Sequence, residues 1–324
     1  MSVTTTRPIS LFGLEPSTYR PHAIHAGGWT YPETNCYTDV LVELLHARGD
    51  EPVAAMGFIV RSDFEGDQWT FFKPPPSDLE LLFGVDIHEM QPLGLLPEQI
   101  AQQLVNKRTL IVELDAWHLP DTLATSYRRE HVKTSVAPEA IDLAGERLRY
   151  FHNGGLHELG EEDYRGALRL DPRPAPGVLP PYIDLVRFDA GPRLAGEELR
   201  AAALPVLRHH LARRPADNPF TRFGQQLGAD LPGLLQGTAE SYHAYAFANV
   251  RMAGSAFEIA AAHVDWLLGR SGASCAGTLR EIVDGCKVLS FRLARRRAFD
   301  PAPTLDVLAL AWERGLGELD KLVS

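Results

Sequence analysis

From Tyr37 to Leu45 the apolar positions Tyr37, Val40, Leu41, Leu44 and Leu45 recur at helical spacing. With Asn35 as N-cap and Gly49 as the stop, they predict a buried helix. PVAAMGFIV and QWTFF, rich in β-branched and aromatic residues, predict two strands, and KPPP ends that pattern. Ser77 with Glu80 reads as a capping box ahead of DLELLFGV, and Pro97 as a first-turn proline of the helix PEQIAQQLVNKR. TLIVELDAW, from Thr109 to Trp117, predicts a strand. HVKTSVAPEAID and ERLRYFHN predict two more, joined by a turn at Leu143 to Gly145, and HNGG marks a loop.

DPRPAPGVLPP, from Asp171 to Pro181, holds five prolines in eleven residues and reads as a linker. Beyond it, GEELRAAALPVLRHHLARR and three further long stretches carry helical apolar spacing. The expected architecture is α+β. A domain over 20–170, with helices first and strands later, is followed by the linker at 171–181 and a mainly helical region over 182–324.

Composition adds limits. The chain has 324 residues, 45% hydrophobic and 23% charged, enough for one large domain or two smaller ones. No apolar run reaches the roughly 18 residues of a membrane span, and MSVTTTRPIS lacks a basic stretch followed by an apolar core. A cytoplasmic protein with no membrane partner is the expectation. A net charge of −10 disfavours nucleic acid as a partner. Three cysteines, Cys36, Cys275 and Cys286, at irregular spacing fit reduced thiols and neither a disulfide framework nor a CxxC site.

No P-loop, dinucleotide-binding glycine fingerprint or HExxH occurs, and GRSGA at 269–273 departs from the serine nucleophile elbow at Ala273. His152, His157 and Glu158 in HNGGLHE are spaced as solvated loop residues, so no metal site is expected. Cys36 is better placed. A thiol at a helix N-terminus faces unpaired N–H groups and the positive end of the helix dipole, a setting in which nucleophilic thiols are prepared. Burial as a small apolar residue is the competing explanation. A thiol nucleophile needs a base and a group that orients it. His131 opens one predicted strand and Asn153, beside His152, closes the next, so pairing of those strands brings their outer ends together. Taken singly, His131 reads as a strand-end histidine and Asn153 as a turn former.

The order Cys36, His131, Asn153 resembles the papain-like cysteine-peptidase superfamily. The segments NCYTDVLVELLHARGDEPVAAMGF, TFFKPPPSDLELLFG, VELDAWHLPDTLATSYRREHVKTS and YHAYAFANVRMAGSAFEIAAAHVDWL are similar to a bacterial family found near amino acid:carrier-protein ligases and related to butirosin biosynthesis protein H. This resemblance implies a papain-like N-terminal domain and an acyltransferase. An acyl or aminoacyl group would pass from the phosphopantetheine thioester of an acidic carrier protein to Cys36, then to a small-molecule amine or hydroxyl acceptor, with no bound cofactor. It carries over Cys36 as nucleophile, His131 as base and Asn153 as third member. No glutamine precedes Cys36 to polarise the oxyanion, so the Cys36 N–H with Asn35 or Thr34 is the substitute expected.

Asp115 and Asp121 in VELDAWHLPDT are candidates for binding the donor's amino group, or else strand-end turn formers. Arg251 and Glu258, two helical turns apart, are expected to pair or to line a cleft. RHHLARR at 208–214 and RLARRR at 292–297 are local basic patches that would suit an acidic carrier, or solvated helix faces. Two alternatives remain beside the transferase: a cysteine hydrolase (amidase, peptidase or thioesterase) of the same fold, and a noncatalytic carrier-binding protein.

Overall fold

The computed structural model describes residues 8–170 and 179–324. In chain order the sheet-forming half contains β1 (Ile9–Ser10), α1 (Cys36–Arg48), α2 (Pro76–Phe83), β2 (Asp86–Glu89) and α3 (Leu96–Val105). It continues with β3 (Thr109–Asp115), β4 (Lys133–Asp142), β5 (Arg147–His152), β6 (Gly155–Gly160), α4 (Glu161–Ala167) and β7 (Ile183–Arg187). The helical half follows as α5 (Gly196–Leu211), α6 (Pro219–Gln236), α7 (Ala239–Ala246), α8 (Met252–Leu268), α9 (Ala273–Ala294) and α10 (Ala302–Val323). An antiparallel sheet in the N-terminal part followed by a mainly helical region makes the fold mixed α and β.

The seven strands form one antiparallel sheet in the order β2-β7-β3-β4-β5-β6, with β1 added on β4. The hairpin expected through Leu143 to Gly145 is present, pairing Asp142 with Arg147. Residues Thr134–Ala140 of β4 are all buried, so the middle of the sheet is covered on both faces, and α1 packs against β4 and β5. The chain separates into two compact units, each made of three segments. One comprises residues 1–26, 36–51 and 79–193, the other 27–35, 52–78 and 194–324.

Five sequence expectations change. PVAAMGFIV is a 3-10 helix, Pro52–Arg61, and every residue from Pro52 to Val60 is buried. An apolar run covered on all sides carries no alternation, so it reads equally as strand or helix. QWTFF forms no strand. A single bridge joins Phe64 to Trp69, whose ring packs on Phe220 at 4.7 Å in the core of the helical unit. Ser77 lies inside α2, which starts at Pro76, and so is not its cap. β6 was hidden in HNGG-flanked sequence, and β7 returns the chain to the sheet just where helices were expected. The linker's residues 171–178 lie outside the described residues. Among the described residues no helix is long and apolar enough to cross a membrane.

One backbone approach in the sheet unit tolerates nothing but glycine. Gly84 has φ +63°, and a Cβ there would lie 2.3 Å from the Gly191 carbonyl oxygen. Gly84→Ala combines left-handed strain with a backbone clash. We expect a loss of about 2 kcal/mol or more in unfolding free energy, measured by denaturant titration.

Candidate functional site

Alternation along β3 puts Ile111, Glu113 and Asp115 on one face. The register pairs Glu113 with Ser135 and Asp115 with Lys133, so Ser135 and Lys133 share that face. Cys36, the first residue of α1, donates its thiol to the Ser135 hydroxyl at 3.6 Å, which identifies this as the face that α1 covers. The same face opens to solvent at the end of β3. Glu113 and Asp115 are half-buried while Leu114 between them is buried, and Lys133 opposite is exposed. Polar groups are affordable there because water reaches them.

Two short ion pairs organise this open end. Lys133 Nζ lies 2.7 Å from Glu113 Oε1, and His131 Nδ1 lies 2.6 Å from Asp115 Oδ2. The His131 ring stacks on Trp117, with centroids 4.6 Å apart and planes 11° from parallel. Asp115 also holds the chain turn through Trp117 N–H at 3.0 Å. A carboxylate on Nδ1 and an aromatic plate together fix the imidazole and leave Nε2 facing solvent. The side chain of His131 is 70% exposed.

The sequence put Asn153 beside His131, whereas in the structure it is the Asp115 carboxylate that meets His131 Nδ1. Asn153 sits at φ +47° in the two-residue turn between β5 and β6, where His152 pairs with Gly155. Asparagine tolerates the left-handed region, so the turn accounts for the residue. No hydrogen bond joins His131 to Cys36 among the described residues. His131 lies four positions before Ser135, a span of roughly 13 Å in extended chain.

Asp121 and His152 lie on the opposite face of the sheet. His152 Nδ1 meets Asp121 Oδ2 at 2.5 Å, its Nε2 meets the Thr134 hydroxyl at 2.7 Å, and Tyr150 donates to the other Asp121 oxygen. Burial pushes Asp121 up, but the His152 hydrogen bond and charge, with His157 and Tyr150, hold its carboxyl below the usual carboxylate range. All four side chains are enclosed, and they form an internal brace of β4 and β5. Glu158 pairs with Arg147 and Arg149, and the His157 ring lies beside Tyr150. Among the described residues no group of three or more His, Cys, Asp or Glu side chains is placed to hold a metal ion.

A second polar group lines the buried stretch of α1. Asp39 and Glu43, three and seven residues beyond Cys36, both bond His25, through Nε2 at 3.3 Å and through Nδ1 respectively. Glu43 also accepts from Tyr19 and from the His22 N–H at 3.1 Å. Burial alone would lower His25, yet the two carboxylates outweigh it and push it up to about 9. The sequence pattern does not show this group because Tyr19, His22 and His25 lie in a stretch without periodicity ahead of α1.

The remaining candidates separate. Asn35, buried, donates its amide to the Phe72 carbonyl at 3.0 Å, and Thr34 is buried. Arg251 and Glu258 do not pair with each other. Arg251 donates to the Glu33 carbonyl at 2.8 Å, whereas Glu258 accepts the Thr30 and Tyr31 N–H groups at 2.7 and 2.8 Å. Seven residues of helix hold the two positions roughly 10 Å apart along the axis, and each side chain has a nearer partner. Cys275 and Cys286 are buried and pushed up to about 12 by burial, helped at Cys275 by the charges of Glu318 and Asp265. Cys36 alone of the three is partly exposed. The basic patches are largely occupied: Arg208, Arg214 and Arg296 donate to Val323, Leu211 and Gly237 carbonyls, and Arg214 also pairs with Asp320.

No curated protein matches this chain. The family description "DUF1839 N-terminal domain" matches residues 20–188, and "DUF1839 C-terminal domain" matches residues 196–321. Between them these matches span both the sheet with its α1 cysteine and the helical region, and the chain belongs to the DUF1839 family.

Proposed function

We propose that this protein is a cysteine-dependent acyltransferase, related to the papain-like enzymes and to butirosin biosynthesis protein H. It moves an acyl or aminoacyl group from the phosphopantetheine thioester of an acidic carrier protein to an amine or hydroxyl acceptor. The observation that carries the reading is Cys36: the one partly exposed thiol, at the start of α1, on the open polar face that also bears the Asp115-held His131.

In the first step the Cys36 sulfur, having given up its proton, attacks the thioester carbonyl. The bond from carbonyl carbon to pantetheine sulfur breaks, and the departing thiolate takes up a proton. In the second step the acceptor attacks the acyl-enzyme, His131 Nε2 takes the acceptor's proton, and the Cys36 thiolate leaves. Asp115 stabilises the imidazolium so formed. Acyl group and acceptor fill the interval between Cys36 and His131, so the two side chains need not touch in the free protein. Oxyanion stabilisation falls to backbone N–H groups at the start of α1, because the Asn35 amide is committed to Phe72.

The test is incubation with aminoacyl-loaded carrier protein, followed by intact mass and peptide mapping. One acyl group on the Cys36 peptide is expected, and none on Cys275 or Cys286. Absence of an adduct favours a noncatalytic carrier-binding protein, a reading to which the Cys36 hydrogen bond to Ser135, and not to an imidazole, lends support.

A further inference from the structure

The helical unit contains a cavity of about 460 Å3 with a charge unlike that of the rest of the chain. Its lining includes three cations, Arg61, Lys73 and Arg213, all exposed, on a protein whose net charge is −10. Phe58 and Phe72, both buried, form the apolar part of the wall, and Phe71 is 44% exposed at the cavity.

The lining carboxylates make no ion pair with Arg61 or Arg213 among the described residues. Asp63 lines the cavity but is paired with Arg222 of α6, which does not. Among the described lining residues, Glu65 is then the carboxylate without a cationic partner, beside the guanidinium groups of Arg61 and Arg213. Arg61 makes no hydrogen bond or ion pair among the described residues. Arg213 bonds the His209 ring and no carboxylate among the described residues.

The volume is within the range of small-molecule sites, which combine apolar walls with a few convergent polar groups. Here the polar groups are cationic. Guanidinium groups bind phosphate and carboxylate oxygens through two parallel hydrogen bonds, and their planar faces stack on rings.

From these features we propose that this cavity is a binding site for a small organic anion: a phosphate or carboxylate group held by Arg61, Lys73 and Arg213, on an apolar body that rests against Phe58, Phe71 and Phe72. The site lies wholly within the helical unit, and the proposal does not depend on Cys36 chemistry.

Calorimetric titration of the full chain with phenyl phosphate, benzoate and phenol tests it. Saturable binding of one or both anions is expected, with no binding of phenol, and the tighter anion identifies the head group. Arg61→Ala and Arg213→Ala should each weaken that anion about tenfold, and raising the salt should weaken it further. Glu65→Gln should tighten it, a change in the opposite direction that a folding defect does not produce. The proposal is overturned if neither anion saturates, if phenol binds equally well, or if both arginine variants bind with unchanged affinity.

Discussion

Cys36→Ala is expected to remove the acyl adduct entirely and to lower acyl transfer by a factor on the order of 10³ or more, because a nucleophile has no substitute within its own machinery. The protein should remain folded. Cys36 is only partly buried and its sole hydrogen bond is the long one to Ser135, so the lost side chain opens little space. Two further variants give the result its shape. His131→Ala should keep the adduct but slow its transfer to an amine by about 10²-fold, since the imidazole serves the second step. Asp115→Asn, which keeps a hydrogen-bonding group but removes the charge, should act in the same direction. Transfer that continues undiminished in Cys36→Ala would sink the acyl-enzyme route. Product analysis with and without an amine then separates transferase from hydrolase.

Glu43→Ala should be the most damaging single change for stability, at roughly 3–5 kcal/mol, because it leaves the buried imidazolium of His25 with Asp39 alone. The His25 side chain is 1% exposed and that of Glu43 is 0%, so water cannot substitute. The same group makes stability depend on pH. His25 is raised in the folded protein from 6.5 to about 9, so its contribution is fully present below pH 6.5 and is lost as the pH climbs through 9. The size is on the order of 3 kcal/mol. Glu43 is held low, against the cost of burial, by its bonds to His25 and Tyr19, and its share is present above its unfolded value and fades as the solution turns acid. Urea titrations at pH 7 and pH 9.5 should therefore show a loss in the wild type that is largely absent in His25→Ala. Equal losses in both proteins would show that His25 is not the group responsible.

Periodicity found what repeats. α1 from Tyr37 onward, the proline-started α3, β3, the hairpin of β4 and β5 and the helices of the second half all carry patterns that local physics reads directly. It failed where burial was complete, as at Pro52–Arg61, since a segment covered on every side has no polar face to mark its period. It failed again at Arg251 and Glu258, which share a helical stretch but bond Glu33 and the Thr30 and Tyr31 N–H groups instead of each other. Cys36 opens α1 as the spacing predicted, whereas His131, expected to open a strand, lies two residues ahead of β4. The partner of His131 was not legible, because Asp115 reaches it through the register of β3 on β4, a long-range property that no window of sequence contains. The enclosure of Asp121, His152 and Thr134 was hidden for the same reason.

The interleaving of the two units has a consequence for how the protein is made. Trp69 and Phe64, in a segment synthesised early, find their ring partners Phe220, Phe223 and Phe257 only after some 150 further residues have left the ribosome. Residues 27–35 and 52–78 must therefore wait, with aromatic surface uncovered, while the strands up to β7 are synthesised. A fragment ending near residue 193 would strand those segments permanently. The helical half can be completed only once synthesis is nearly over, and aromatic surface left open until then is the kind that chaperones cover.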